Sequence, residues 1–226
     1  MKAIFLFLLN FFFVVEVFAQ ISNVPGLNNE VIRVRKYIDI DGSPYLYTDW
    51  KAGTITDSSE KLYNNELVKY DAYKDVVEVN KEGETMILNK TMYPKFSLAF
   101  ADPSSNRIIR HNFRSGFEKV ENYSRENYFE VLSEKKVVLL KKYQVKFIEE
   151  VVNSSGTAAQ TKRFQKSEKF FLVKDQISSE VKLNIKSVIS ILGDDVRFKD
   201  YVIKERVKVK NEKDLIMLVE YYQNLP

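Results

Sequence analysis

Val137 to Val151 reads VVLLKKYQVKFIEEV. Tyr143, Val145 and Phe147 alternate with Lys142, Gln144 and Lys146. In an extended chain this puts apolar groups on one face and charges on the other, the period of a half-covered β-strand. The neighbouring segments repeat the pattern. Downstream, Lys169 to Val173 and Ser178 to Ile185 are expected to pair around Lys174-Asp175, with Val181, Leu183 and Ile185 alternating with Lys182 and Asn184. Between Val151 and Lys169, Asn153 to Gln160 (NSSGTAAQ) has the composition of a flexible loop.

Upstream, Tyr128 to Leu132 and Phe96 to Ala101 read as strands, the latter stopped by Asp102-Pro103-Ser104-Ser105-Asn106. Val76 to Val79 is joined through Asn80-Lys81-Glu82-Gly83 to ETMIL, a hairpin in which Gly83 takes the positive φ. Ala52 to Thr56, Glu66 to Ala72 and Val31 to Ile40 complete the set, the last ending at Asp41-Gly42-Ser43-Pro44. Nine or ten strands result, with no helical pattern between them. Parallel strands need long crossover connections, so the sheet is expected to be antiparallel.

From Lys186 the period changes to that of helices. Ser187 to Leu192 ends at Gly193, and Asp195 is an N-cap for Val196 to Val207. Asn211 and Asp214 form a capping-box-like start to a helix with Leu215, Leu218, Val219 and Tyr222 on one face. The fold class is therefore α+β and predominantly antiparallel β, as a meander, sandwich or partly open barrel. The helices, residues 186–226, are expected to pack on or beside a β-rich domain of residues 31–185.

The first twenty residues, MKAIFLFLLNFFFVVEVFAQ, carry an address. Lys2 is followed by an apolar run from Ala3 to Val15, broken by Asn10 and closed by Glu16, with Val17 and Ala19 at the positions a signal peptidase reads. The run is shorter than the roughly 20 residues of a membrane-spanning helix. Residues 1–19 are therefore expected to be a cleaved signal peptide, with no retained transmembrane helix, and residues 20–30 a loose leader. The product would be periplasmic, at the cell surface, or secreted.

The remaining composition mostly excludes chemistries. The 226 residues include no cysteine and one histidine, and carry a net charge of +4. Disulfides, thiolate metal sites and cysteine nucleophiles are ruled out, and no multi-histidine site can form. With only seven glycines there is neither a dinucleotide-binding nor a Walker-type phosphate loop, and no cofactor is expected. The modest charge and the export signal argue against nucleic acid. Asp39-Ile40-Asp41-Gly42 starts like a calcium loop but lacks the further ligands, and Asp194-Asp195 reads as helix capping.

Two clusters remain as candidate contacts. Arg107, Arg110, His111 and Arg114 form the densest cationic stretch, suited to phosphate, carboxylate or an acidic polysaccharide; the plainer alternative is a basic surface strand or loop. Tyr45, Tyr47 and Trp50 would stack on sugars or a peptide if exposed, or anchor the sheet if buried. No catalytic residue emerges, since 31 acidic residues offer no basis for selecting a hydrolytic pair.

Gly42-Ser43-Pro44-Tyr45-Leu46 leading to Asp49-Trp50, Gly53-Thr54-Ile55, Val68-Lys69-Tyr70-Asp71-Ala72-Tyr73, and the ending Asp214-Leu215-Ile216 with Val219 to Leu225 give the chain a further likeness. With the export signal, it resembles small uncharacterised exported proteins of Bacteroidota-type bacteria. That resemblance implies an envelope location and no activity. The expected function is a non-catalytic envelope protein that binds an envelope protein or glycan, or stabilises an assembly. The alternatives are a carrier of a lipid in a curved sheet or half-barrel, and a carboxylate-dependent hydrolase.

Overall fold

The structure is a computed structural model that describes residues 37, 39–102, 105, 107–154 and 157–226. The expected signal peptide and leader, and Val31 to Lys36 of the first expected strand, lie outside the described residues. That strand's described end is not extended: Tyr37 and Asp39 lie in a turn, and Asp39 has φ +62°.

Ten strands form one antiparallel sheet: β1 (Lys51–Thr56), β2 (Leu62–Asp71), β3 (Val76–Lys81), β4 (Glu84–Ile87), β5 (Lys95–Ala101), β6 (Ile108–Arg114), β7 (Phe129–Glu134), β8 (Val138–Ser154), β9 (Thr157–Lys174) and β10 (Ile177–Val181). Their order is β10-β9-β8-β7-β6-β5-β1-β2-β3-β4. Two meanders are thus joined where β5 returns beside β1 instead of β4. The sheet is open, and it is one sheet, not a sandwich of two. Three helices follow, α1 (Ile185–Leu192), α2 (Val196–Lys204) and α3 (Glu212–Gln223).

Local chemistry sets the turns. Glu82 (φ +53°) and Gly83 (φ +89°) make the two-residue β3–β4 loop that the right-handed twist of a hairpin favours. Asn65, at φ +61°, is the extra residue of a bulge, since Gly53 pairs with Glu66 while Thr54 pairs with Asn64. Gly53 is obligatory there: a Cβ would lie 2.3 Å from the Ser97 carbonyl oxygen on β5. Asn184, Asp195 and Asn211 each accept backbone N–H bonds at the start of their helix.

Several boundaries differ from the sequence reading. NSSGTAAQ is strand rather than loop at its described residues, because β8 and β9 pair in continuous register from Val138↔Val173 to Ser154↔Thr157. Composition there is overridden by the partner strand. Ile185 opens α1 instead of ending a strand, because Asn184 caps the helix. α2 ends at Lys204. The cationic stretch is a full strand, β6.

Three clusters make the core. Leu139 and Leu172 on one face of β8–β9 receive Val188, Leu192, Phe198, Leu215 and Leu218 from the helices. On the other face Leu140, Phe129 and Phe171 pack with Val120 and Phe117 of the β6–β7 connection. With both faces covered, the VVLL start of β8 has no polar alternation. The third cluster fills the inner face of β1–β6, where Phe96 and Phe113 stack with centroids 4.5 Å apart.

The sheet curls until β8 meets the β2–β3 turn, although four strands separate β8 from β2 in the order. The segment before β1 clasps the two regions together. Asp41 exchanges backbone bonds with Lys162 and Phe164 of β9, and Leu46 and Pro44 bond to Tyr70 and Ala72. The Tyr37 hydroxyl donates to Asp71 at 2.7 Å, and its ring meets Phe164 edge-on.

Candidate functional site

Strand alternation divides the cationic stretch between two faces. His111 and Phe113 point to the inner face of the sheet, and Arg110, Asn112 and Arg114 to the outer. Arg107 precedes β6 and is exposed. His111 is therefore not brought together with the arginines.

On the inner face a cleft of about 480 Å³ opens between Leu46-Tyr47 of the clasp and β8–β9. His111, Lys141, Tyr143, Val145, Lys166 and Glu168 are among its walls. The His111 Nδ1 lies 2.5 Å from Glu130 Oε1. A carboxylate only accepts, so Nδ1 carries the proton, and in the neutral imidazole Nε2 accepts the Tyr47 hydroxyl at 2.9 Å. Tyr143 donates to the second Glu130 oxygen at 2.7 Å. Lys141, also buried, reaches Glu212 of α3 at 2.6 Å and Glu168 at 3.0 Å, and sits 4.5 Å above the Tyr143 ring.

The titration behaviour follows from the burial and pairing of these groups. Burial, reinforced by Glu130, Glu168 and Glu212, pushes the Tyr47 phenol up to about 12 from its ordinary 10.0. Burial and then Glu130 push Tyr143 higher still. Burial works against the Lys141 ammonium, but its bonds to Glu212 and Glu168 outweigh it and raise its pKa. The phenols are thus held protonated, and neither is a nucleophile near neutrality. Ser167 lines the cleft without a base hydrogen-bonded to its hydroxyl among the described residues.

In a titration followed at the phenolate absorbance, Tyr47 and Tyr143 are expected to stay protonated at about pH 11, where free phenols are mostly ionised. Tyr47→Phe removes one late-titrating group. Because the folded-state pKa is raised, this stabilisation is complete below pH 10.0 and is lost as pH rises from there through about 12. The fold is therefore expected to weaken in alkali, as circular dichroism across that window would show.

A second buried network lies where β8 meets the β2–β3 turn. Lys142 Nζ is 2.6 Å from Asp75 Oδ1 and donates to the Tyr128 carbonyl at 2.9 Å. Tyr70 donates to the same Asp75 oxygen, while Lys90 and Asn127 donate to the other at 3.0 and 2.6 Å. Burial alone would raise Asp75, but Lys142 and Lys90 outweigh it and hold its carboxyl below the usual range. Burial pulls Lys142 below the ordinary lysine value against the opposing effect of Asp75. This node is fully occupied by the fold and closes the curl.

The outer face of β2, β1, β5 and β6 carries an open trough of about 500 Å³. Register places Asn64, Thr54, Ser97 and Asn112 side by side across the four strands. Arg110 and Arg114 flank this row. Arg114 is paired with Glu134 at 2.6 Å and lies 4.6 Å from the Phe117 ring centroid.

The aromatic cluster does not form one platform. Tyr45 is half-buried and donates to Glu78, Tyr47 belongs to the inner cleft beside Phe100, and the Lys69 ammonium lies over the Trp50 ring, 5.0 Å from its centroid. These contacts anchor the clasp and the start of the sheet. Asp195 caps α2, and Asp194 pairs with Lys174 at 2.6 Å.

Sequence reasoning missed Glu130, Lys141, Glu168, Glu212, Asp75 and Lys142. One signal was present: in a strand, adjacent Lys141 and Lys142 must face opposite sides, so at least one must enter a covered face of β8. Among the described residues no group of three or more His, Cys, Asp or Glu is placed to hold a metal, and no helix is long and apolar enough to cross a membrane. Compared with known proteins, the chain matches no family model, no curated protein and no solved structure.

Proposed function

We propose that this is a non-catalytic exported protein of the cell envelope, a binding module that holds its partner on the antiparallel sheet. The hydrogen-bonded network lining the inner cleft carries this reading. Both Glu130 oxygens are taken by His111 and Tyr143, His111 is taken by Tyr47, and Lys141 is taken by two glutamates. Nucleophilic catalysis needs a Ser, Thr, Cys or Lys nucleophile hydrogen-bonded to its base, and His111 is bonded instead to a phenol held protonated. Ser167 and Lys166, also in the lining, do not supply such a pair: Ser167 has no base bonded to its hydroxyl among the described residues, and Lys166 reaches the Leu46 carbonyl at 3.3 Å.

The filled inner face counts against a lipid carrier. A carrier requires a continuous apolar cavity. Phe96, Phe113, Tyr70 and Tyr128 instead pack on one another with centroids 4.5–6.4 Å apart. The cleft beside them is lined by Lys141, Lys166 and Glu168 as well as by Leu46 and Val145. The export signal supports the envelope location.

The test uses the mature chain, residues 20–226. Screened against polysaccharide and peptide substrates it is expected to show no turnover, and from intact envelope it is expected to retain a specific partner. Turnover that disappears in Glu130→Gln would overturn the non-catalytic reading. Lipid co-purifying in stoichiometric amount, seen by native mass spectrometry, would replace it with the carrier.

A further inference from the structure

We infer that the outer trough is the binding site, and that its ligand is an oligosaccharide bearing carboxylate or sulfate groups. This rests on the binding-module reading and names the site and ligand class within it. The inner cleft and the Lys142 node are occupied by the fold's own groups, whereas the trough has polar groups to spare.

The geometry shows which groups are left over. Thr54 Oγ1 donates to Asn64 Oδ1 at 3.0 Å, which leaves the Asn64 amide N–H groups free to donate outward. Ser97 Oγ accepts from the Thr54 backbone N–H at 3.3 Å and from Arg110 at 3.4 Å, leaving its own proton to give. The Asn112 side chain has no partner among the described residues. The trough therefore presents mainly donors, arranged for an oxygen-rich ligand.

Charge selects the kind of ligand. Arg114 is neutralised by Glu134, but Arg110 has no carboxylate within ion-pair distance among the described residues. Its guanidinium spends one long hydrogen bond on Ser97, and its remaining donors match a carboxylate or sulfate in bidentate fashion. Adjacent strands lie about 4.8 Å apart, so the row of four residues extends for roughly 14 Å. That is the reach of a few sugar rings, and hydroxyls and amides spaced along it suit sugar hydroxyls better than a single small anion. The short side chains of Thr54 and Ser97 sit in the middle of the row and keep its floor low.

The test is calorimetric titration of the mature chain with oligogalacturonate, dextran sulfate and uncharged dextran. Binding is expected for at least one charged chain and not for dextran, weakening as salt rises. Arg110→Ala is expected to lower affinity tenfold or more and Asn112→Ala several-fold. Arg110→Lys, which keeps the charge but loses the fork, is expected to fall between Arg110→Ala and the wild type. Lys199→Ala, at an exposed position on α2, removes the same charge elsewhere and is expected to bind like the wild type. Unchanged melting temperatures in these surface variants would show that they fold. The inference is overturned if neither charged chain binds, if dextran binds equally, or if Arg110→Ala is no weaker than Lys199→Ala. Such a failure would not touch the non-catalytic reading, which the turnover assay decides.

Discussion

Asp75→Asn is expected to destabilise the fold by about 3–5 kcal/mol, the usual cost of stranding one charge of a buried ion pair. The Lys142 ammonium would lose its 2.6 Å partner while remaining enclosed by Tyr70, Tyr128 and Phe129. Its other contacts are a phenol oxygen and a carbonyl, which accept its protons but leave its charge uncompensated. The loss is a large share of the roughly 5–15 kcal/mol that holds most domains together. Chemical denaturation would measure it. The double variant Asp75→Asn/Lys142→Met removes both charges and is expected to recover much of the loss; an equally unstable double variant would show that the ion pair is not the source. The sign in acid follows from the same network. Because the Asp75 carboxyl is held below its ordinary 3.8, its stabilisation is present above that value and is lost as pH falls through the lower folded-state value. Acid should therefore open the curl of the sheet, and Asp75→Asn should flatten that part of the stability profile.

Phe113→Ala is expected to cost about 3–5 kcal/mol, the range for deleting a buried aromatic ring. Phe113 is 2% exposed and stacks flat on Phe96, with Tyr70 and Tyr143 at 5.3 and 6.0 Å. The three neighbouring rings are held by sheet register or by a hydrogen bond, so the space cannot easily collapse. The denaturant midpoint should fall with little change in slope, as for a pure stability effect. Ile203→Ala, at an exposed position on α2, is expected to stay within about 0.5 kcal/mol of the wild type. An equal effect at both positions would mean that the inner face is not the cooperative core.

How much was legible depended on the range of the interaction. The helix starts were readable because a cap acts within three residues: Asn211 accepts the Asp214 N–H at 2.9 Å and Asp195 those of Arg197 and Phe198. The β3–β4 hairpin was readable because a two-residue loop needs a particular backbone at Gly83. The far half of the β8–β9 hairpin was not, because NSSGTAAQ has weak strand preference and its described residues are extended through their pairing partners. The two faces of the cationic stretch were only half legible. Once Ile108–Arg114 is known to be a strand, Arg110 and His111 must diverge, but nothing local told strand from loop.

Taken alone, the amino-acid order determined the antiparallel, helix-capped class of this protein and the chemistries closed to it. Alternation at Tyr143, Val145 and Phe147 and the absence of cysteine are properties of near neighbours and of composition. Only the tertiary structure decided that β5 lies beside β1, that Asp75 meets Lys142 across 67 positions, and that Asn64, Thr54, Ser97 and Asn112 form one row. The period of a strand states which face a side chain takes, whereas the choice of neighbouring strand depends on the packing of the whole sheet.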